Sequence, residues 1–447
     1  MGMHVVHDFL GETAIQVVMV DAPALESCRF LEQYKHGSQE SPRIPRMLIA
    51  AALTRTSSGG LKAASTPQTP SERCLSTSYI LGHILLFCGS VETLGRVSAV
   101  NKACRSFIRS ERRLWRFCVR YGDMPAHVRF SYWEHVANVR KVRETSELDF
   151  ETYLLMAKSK GECTELILTD VRRTYGRVAP HKRAMGDNKE IVYDTEQELT
   201  NQLSDILHAL SGRFPDVGYC QGMDYIAAHI LDHVKKSSEA REAVRLARKA
   251  AMNGMESPPM SPTRSSAQAA TRIEVESAFW ILVALFENYG LRQMFCPGLQ
   301  KLQLHCFQCQ RLFELAVPEL SEHFENEKVM IEMFLVGWFQ TLFLYLNVLP
   351  RETLDKIWDI FLFENNWKIM ARVALALLQL SESHIVNKPI DEVMQFLNTF
   401  TAKSDELLAP EQLIPRALGI KVTNTMLSKL AKQHARRRKT TSNTSSR

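Results

Sequence analysis

Two side chains in this chain carry the chemistry that phosphoryl transfer requires. Arg173 ends the segment Ile167–Arg173, one helical turn after Asp170, and Gln221 lies in the segment Val217–Met223. An arginine fork neutralises the charge that develops on phosphate oxygens, and a glutamine amide orients an attacking water. The sequence contains no GxxxxGK[ST] loop with which to bind a nucleotide itself. We therefore expect Arg173 and Gln221 to act on a nucleotide that another protein holds.

Both residues also have a plain structural interpretation. Arg173 would then pair with Asp170 on the surface of a helix, as charged side chains one turn apart commonly do. Gln221 would be an ordinary turn residue, because the stretch from Pro215 to Gly222 is rich in turn formers. The order of the surrounding motifs favours the chemical interpretation.

The two segments resemble the I-x-x-D-x-x-R and Y-x-Q finger motifs of the TBC (Tre2/Bub2/Cdc16) domain, the family of Rab GTPase-activating proteins. Upstream of them, Gly122–Pro125 followed by Arg129 and Trp133 resembles the G-I-P-x-x-x-R-x-x-x-W opening of that family. Shorter fragments that match the family follow in the right order: Ala278–Trp280, Tyr289–Leu291, Trp338–Phe343 and Trp358–Phe361. The resemblance covers roughly residues 122–400.

The resemblance implies an all-α Rab-GAP TBC domain that activates a Rab-family small GTPase and thereby regulates vesicle trafficking. Arg173 and Gln221 would be its arginine and glutamine fingers, supplied in trans, so that the chain is a GTPase activator and not itself an enzyme. No cofactor is expected, since GTP and Mg²⁺ belong to the GTPase. Four neighbouring residues are expected to position the fingers: Asp170, Gly218, Tyr219 and Gly222.

Two assignments leave alternatives. Arg129 and Trp133 either face the GTPase or support the domain, the arginine through a salt bridge and the tryptophan as a core residue. Residues 191–197 also fit I-x-x-D-x-x, but this segment ends in glutamine and would leave the domain without an arginine finger. The earlier segment is preferred because Arg173 is followed by Thr174, as in the family.

A smaller helical pattern precedes this domain. Between residues 76 and 121, apolar residues recur at helical spacing and end with Leu114 and Trp115, a pattern that resembles an F-box. Such a motif would dock Skp1 of a cullin ubiquitin ligase through residues 79–118, and the alternative is a helical hairpin that extends the GAP domain. The competing function is therefore an F-box adaptor or scaffold, which binds a GTPase or another protein without activating it and links it to an SCF-type ligase.

Composition divides the rest of the chain. Residues 1–75 are rich in Ser, Thr, Gly and Pro and are expected to be disordered, as is the basic tail 431–447. Residues 401–430 are expected to form a helical extension of the domain 122–400. Helical periodicity runs through that domain almost throughout and predicts an all-α fold, for example in the stripe Leu199, Leu203, Ile206, Leu207 and Leu210.

One insertion, residues 235–272, interrupts the domain. Its first part is predicted to be helical through Ala251, and its second part lacks core-forming residues and is predicted to be a mobile loop. Ser257 and Ser261 each precede a proline in this loop. We hypothesise that charge added there by phosphorylation controls access to the Gln221 loop.

Charge and cysteine content argue against several classes of protein. The 55 Lys and Arg against 49 Asp and Glu give a net charge of +6, which is modest for 447 residues and favours no nucleic-acid partner. Ten cysteines at irregular spacing predict reduced thiols in the cytoplasm. The single CxxC, Cys306–Cys309, lacks the second pair that a metal site would want, so no metal is expected.

The longest apolar stretch, Val329–Leu349, approaches the length of a membrane span. It contains Glu332, Gln340 and Asn347, and we predict a buried core helix that stops at Pro350. Membrane association would then be peripheral, on endomembranes and through partners.

Overall fold

The structure, a computed structural model, describes residues 91–100, 102–178, 189–252, 264–400 and 405–445, together with Gly82, Leu85 and Leu86. The chain divides into two compact units, residues 1–125 (unit 1) and residues 126–447 (unit 2). All regular elements in the described ranges are helices, and no strand occurs among them. The predicted all-α fold is confirmed.

The described part of unit 1 includes α1 (Val91–Ser98), α2 (Lys102–Ser110) and α3 (Arg112–Tyr121), and Gly82, Leu85 and Leu86 are helical as well. Their buried apolar side chains include Leu94, Ile108 and Leu114. The indole N–H of Trp115 donates to the carbonyl of Ile108 at 2.7 Å and ties α3 to α2. Most of the first helix predicted for the F-box-like motif, and all of residues 1–75, lie outside the described residues.

Unit 2 contains the remaining described helices: α4 (Ala126–Val136), α5 (Val139–Glu144), α6 (Phe150–Lys160), α7 (Thr164–Val178), α8 (Lys189–Arg213), α9 (Met223–Met252), α10 (Arg264–Asn288), α11 (Leu291–Phe295), α12 (Gln300–Ala316), α13 (Pro318–Asn326), α14 (Glu332–Gln340), α15 (Arg351–Glu364), α16 (Lys368–Ile385), α17 (Ile390–Thr399), α18 (Asp405–Leu408), α19 (Pro410–Gly419) and α20 (Asn424–Ser445). Helix α8 packs on α6, α7 and α10, and α9 packs on α4, α7 and α10. The segment 278–286 of α10 is buried on every side, as expected of a helix at the centre of a large core.

Local signals at the ends of α6 place the start of α7. The Asp149 carboxylate accepts a hydrogen bond from the backbone N–H of Thr152 at 2.9 Å, which caps the N-terminus of α6. Gly161 ends the helix in the left-handed conformation, with φ of 68°. The chain therefore turns and begins α7 at Thr164.

The apolar stretch 329–349 is not one helix, contrary to the prediction. Helix α14 ends at Gln340, and the backbone of Leu342 and Phe343 is left-handed, with φ of 50° and 69°. The Phe343 N–H donates to the Trp338 carbonyl at 2.6 Å, and the Thr341 hydroxyl accepts from the Tyr345 N–H at 3.0 Å. Both left-handed side chains are fully buried, and this burial offsets a conformational cost of about 1–2 kcal/mol per residue. None of the described helices has the length and apolarity to cross a bilayer.

Helix α20 extends into the region expected to be a disordered tail. Its bounds, Asn424–Ser445, include residues 431–445, where Ala, Lys, Arg and Gln are good helix formers. It packs on α12. There the Gln308 amide donates to the Leu427 carbonyl at 2.8 Å, and the Arg437 guanidinium lies 5.1 Å from the Phe307 ring. These contacts give the basic segment a folded partner.

Helices also occupy most of the insertion. Helix α9 continues to Met252, as predicted within one residue, and α10 begins at Arg264. Residues 264–272, expected to be mobile, therefore belong to α10. Ser257 and Ser261 lie outside the described residues.

Candidate functional site

Helix α7 presents Arg173 to solvent. Ile167 and Val171, one turn apart, are fully buried and hold the opposite face of the helix against the core. The Arg173 side chain is 67% exposed, and its Nη1 lies 3.9 Å from Oδ1 of Asp170. That separation is longer than a hydrogen bond, so the guanidinium retains its donors for another partner.

Gln221 lies in a short loop between α8 and α9, which we call the finger loop (residues 214–222). Two glycines in it have positive φ, Gly218 at 65° and Gly222 at 101°. The positive φ of Gly222 favours glycine, and a Cβ atom there would make a tight contact, 3.3 Å from Cγ of Gln340. Gln221 itself is exposed at the start of the turn that leads into α9.

A hydrogen bond joins the finger loop to α7. The Tyr219 hydroxyl donates to Oδ2 of Asp170 at 2.8 Å. Burial raises the pKa of Tyr219, and the carboxylates of Asp224 and Asp170 raise it further. The phenol therefore keeps its proton and remains the donor. The structure thus brings together the four residues expected to position the fingers, since Gly218 and Gly222 flank Tyr219 in the same loop.

Two further residues of this site were missed in the sequence. The buried Thr174 hydroxyl donates to Oδ2 of Asp224, and Oδ1 of Asp224 accepts from the Gly222 N–H at 2.8 Å. Burial raises the pKa of Asp224, and these two hydrogen bonds oppose that effect. A signal was present in the sequence, because Thr174 lies on the same helical stripe as Ile167 and Val171 and puts a hydroxyl where an apolar side chain would pack.

Cys220 lies beside Gln221 but is not suited to nucleophilic chemistry. Its sulfur accepts a hydrogen bond from the Gln340 amide at 3.3 Å. Burial raises the pKa of the thiol, and the hydrogen bond from Gln340 opposes this only in part. The side chain packs Gln340 against the finger loop.

Arg129 and Trp133 meet two carboxylates of α15 in the core of unit 2. Arg129 Nη1 lies 2.9 Å from Asp355 Oδ2, and its Nε lies 3.3 Å from Asp359 Oδ2. The Trp133 indole is 0% exposed and donates to Asp359 Oδ1 at 2.7 Å. Trp133 has no exposed surface with which to contact a partner protein, and the Arg129 guanidinium, whose side chain is 15% exposed, is held by two carboxylates of the same domain. This geometry supports the structural alternative for both residues.

One cluster in the described ranges brings potential metal ligands together. The donor atoms of His229, His233 and Asp355 lie within 4.8 Å of one another, and all three residues are buried. Asp355 is already paired with Arg129, and Arg351 Nη2 lies 3.4 Å from His233 Nε2. A divalent cation would add uncompensated charge beside two guanidinium groups in a buried environment, at a cost of several kcal/mol. We therefore describe this cluster as a polar part of the core.

The Cys306–Cys309 pair lies on α12. Both thiols are buried, and burial raises the pKa of Cys306 to about 12 and that of Cys309 further. The neighbouring His305 stacks on Trp367 at 4.3 Å, and burial lowers the pKa of His305 to about 3. Buried protonated thiols are inert packing groups.

Comparisons with known proteins identify the family of this chain. Residues 113–386 match the family described as the Rab-GTPase-TBC domain. The human Ecotropic viral integration site 5 protein homolog is 25% identical over 315 residues, which cover 70% of this chain and 32% of that protein. GTPase-activating protein GYP5 of Saccharomyces cerevisiae is 28% identical over 276 residues, 62% of this chain and 24% of that protein. The matched part thus spans a third or less of the length of these curated relatives.

A solved structure shows the same fold. The crystal structure of the Ypt/Rab-GAP domain of Gyp1p aligns with a TM-score of 0.51 and 17% sequence identity. The alignment covers 69% of this chain and 91% of that domain. The likeness supports the all-α architecture of unit 2.

Proposed function

Because the chain belongs to the Rab-GTPase-TBC domain family, we propose that it is a GTPase-activating protein for a Rab-family small GTPase and that Arg173 and Gln221 are its fingers. One observation carries the assignment of the fingers. Two exposed side chains of the required chemistry stand on α7 and the finger loop, and the bond between Asp170 and Tyr219 joins these two elements.

Each finger has a distinct task in this proposal. The Arg173 guanidinium reaches the β- and γ-phosphates of the GTPase-bound nucleotide and neutralises the charge that develops as the bond to the leaving group breaks. The Gln221 carboxamide accepts from and donates to the attacking water and aligns it with the γ-phosphorus. GTP and Mg²⁺ are held by the GTPase, so this chain contributes two side chains and no bound cofactor.

Exposed apolar side chains near both fingers support a protein-docking face. Leu166 is exposed on α7 two turns before Arg173, at the spacing that places residues on one helical face. Soluble domains rarely expose several large apolar side chains in one area unless a partner covers them.

The finger loop has similar neighbours on its other side. Gln340 donates a hydrogen bond to the sulfur of Cys220 in the finger loop, and the exposed Tyr345 ring lies 6.2 Å from the ring of Tyr225 on α9. Met333, also exposed, precedes Gly337 by one turn of α14, and the Cβ position of Gly337 lies 3.6 Å from Tyr345. This surface would meet an apolar region of the GTPase next to its nucleotide.

The proposal is tested with a panel of GTP-loaded Rab proteins. The wild-type chain should accelerate hydrolysis by at least one of them, and Arg173→Ala and Gln221→Ala should each lose most of that acceleration. Arg172→Ala is the matched control, since it removes an exposed arginine from the adjacent position of the same helix. Retention of wild-type acceleration by both finger variants would refute the proposal.

The same proposal gives the protein a place in vesicle trafficking. A Rab GTPase in its GTP form is the substrate, so the chain would work in the cytoplasm at the surface of endomembranes that carry that GTPase. Membrane association would be peripheral and would depend on the GTPase. Co-sedimentation with vesicles that carry GTP-loaded Rab, compared with bare vesicles, measures this dependence.

A second candidate function is the F-box adaptor. The observation in its favour is that the helices α1 to α3, in the region of the F-box-like motif, belong to a different unit from the helices of unit 2. Leu85 is buried, so its substitution would test folding, and a docking variant should change an exposed side chain such as Arg109. Co-purification of Skp1 with the full chain, together with GTPase binding that causes no acceleration, would support the adaptor.

A further inference from the structure

Helix α7 and the finger loop are tied together at a second point, next to both fingers. Thr174 follows Arg173 directly, and Asp224 lies three residues after Gln221. The Thr174 hydroxyl donates to one carboxylate oxygen of Asp224, and the other oxygen accepts from the Gly222 N–H at 2.8 Å. One carboxylate therefore connects the helix that carries the arginine to the backbone that carries the glutamine.

The two ties together restrict more motion than either alone. Asp170 and Thr174 are four residues apart on α7, a rise of about 6 Å along the helix axis. Asp170 holds Tyr219, before Gln221, and Thr174 holds Asp224, after it. A single hydrogen bond would let the loop pivot, whereas two bonds on either side of Gln221 fix its direction and its distance from Arg173.

Packing alone does not explain why Thr174 and Asp224 are polar. Thr174 is 1% exposed and Asp224 is 2% exposed, and a buried carboxylate is costly unless hydrogen bonds compensate for its lost hydration. Valine has the shape of threonine and would fill the same space without needing a partner. A polar pair in such a place is best explained by the geometry that it imposes.

We propose that Thr174 and Asp224 are positioning residues that set the relative placement of the arginine and glutamine fingers. The inference rests on the proposed function, because it assigns a purpose to the geometry of that same site. Neither residue touches the nucleotide. Both act through Arg173 and Gln221, and a misplacement of about 1 Å at a reacting group lowers a rate by about 10²-fold.

The test uses the full-length protein and a GTPase that it activates, with the stimulated rate at saturation (kcat) and the half-saturating concentration (KM) measured separately. Thr174→Val should lower kcat by about 10- to 100-fold and leave KM within a few-fold of wild type. Thr174→Ser retains the hydroxyl and should stay within a few-fold of wild type in both. Asp224→Asn can accept from the Gly222 N–H and donate to Thr174, so it should keep most of the kcat that Asp224→Ala loses.

A buried hydroxyl elsewhere provides the control for folding. Thr353 on α15 is also buried, and its hydroxyl donates to the Leu408 carbonyl at 2.6 Å. Thr353→Val should lower the thermal midpoint without a change in kcat, whereas Thr174→Val should change kcat even where its thermal midpoint is close to wild type. In the Arg173→Ala background, Thr174→Val should cause a smaller further loss than in the wild type, because residues that act as a unit are not additive and only the placement of Gln221 is still affected.

The outcomes separate the two proposals. If Arg173→Ala and Gln221→Ala keep full activity, the proposed function fails. If those variants are inactive while Thr174→Val has the kcat of wild type, only the positioning role fails. Equal losses from Thr174→Val in the wild-type and Arg173→Ala backgrounds, or an Asp224→Asn protein as inactive as Asp224→Ala, would also overturn the positioning role.

Discussion

Two arginines of unit 2, Arg173 and Arg129, occupy opposite environments although both belong to signature segments of the same family. Arg129 is 15% exposed and makes hydrogen bonds of 2.9 Å and 3.3 Å to two carboxylates of α15. Arg173 is 67% exposed, and its nearest carboxylate oxygen lies 3.9 Å away. The guanidinium group is the same, but one has its donors occupied within the domain and the other has them free.

The difference shows how a signature residue acquires its role. A guanidinium whose fork is filled by buried carboxylates stabilises the fold, because removing it leaves those carboxylates buried without its positive charge. A guanidinium on a supported but open helix face is available to phosphate oxygens of another molecule. Burial and the occupancy of the donors, and not residue type, separate the two cases.

The largest effect that would distinguish these arginines is on activity. Arg173→Ala should lower stimulated GTP hydrolysis by about 10³-fold or more, because no other group in the complex replaces the lost fork. Its free energy of unfolding should change by less than about 0.5 kcal/mol, as for most exposed sites. Hydrolysis assays and denaturant unfolding of the same preparation check both parts. If Arg173→Ala lost stability in proportion to activity, Arg173 would have a structural role like that of Arg129.

The reverse pattern is expected for the buried arginine. Arg129→Ala should lower the free energy of unfolding by about 3–5 kcal/mol, since Asp355 and Asp359 would remain buried without it. Arg140→Ala is the control: it removes an 89% exposed arginine paired with Glu144, and should leave the free energy of unfolding close to that of the wild type. Urea unfolding curves measure both. Equal costs for the two variants would show that Arg129 is not a structural anchor.

A glycine variant examines the finger loop itself. Gly222→Ala should destabilise the protein by about 1–3 kcal/mol and lower stimulated hydrolysis, because its φ of 101° is strained for alanine and the new methyl group meets Gln340. Gly298→Ala, at φ of 81° with open space around it, should be strained as well but leave hydrolysis unchanged. Unfolding and hydrolysis measurements on the pair separate strain from displacement of Gln221.

The smallest expected effect is a pH dependence of stability that comes from the buried residue His229. Burial lowers the pKa of His229, the charge of His233 lowers it further, and Asp355 opposes them. Folded His229 stays neutral, while the unfolded chain takes up a proton below about pH 6.5. This contribution to stability is therefore complete above that pH and declines below it, by up to about 1.4 kcal/mol per pH unit.

Unfolding measured between about pH 5 and 8 would show this slope. His229→Asn should make it shallower, and the same change at His135, which is exposed, should leave the slope as it is. An unchanged slope in the His229 variant would place the acid sensitivity in another part of the domain.

The sequence alone indicated Arg173 and Gln221 as candidate fingers, because their residue types and the order of the motifs around them are readable along the chain. It also placed the helical stripe at Leu203, Ile206, Leu207 and Leu210, and these side chains are buried in α8. Both features depend on neighbours that are close in sequence.

Features that depend on distant contacts were not readable. Thr174 and Asp224 are 50 positions apart, and only the packing of α7 on α9 brings them together. The end of α14 depends on two buried residues in the left-handed conformation, Leu342 and Phe343. Their apolar side chains predict a continuing helix from hydropathy alone. The helical tail depends on contacts with α12, which a composition rich in Lys and Arg does not reveal.

The length of α9 bears on how the insertion could influence catalysis. The helix begins at Met223, directly after the finger loop, and its 30 residues end at Met252. A straight helix of that size measures about 45 Å, several times the distance of about 8 Å over which physiological salt screens a charge. The charge of a phosphate attached just beyond Met252 would therefore have no appreciable electrostatic effect at Gln221. Any effect of that end on catalysis must be transmitted by a displacement or rotation of α9, whose other end carries Asp224.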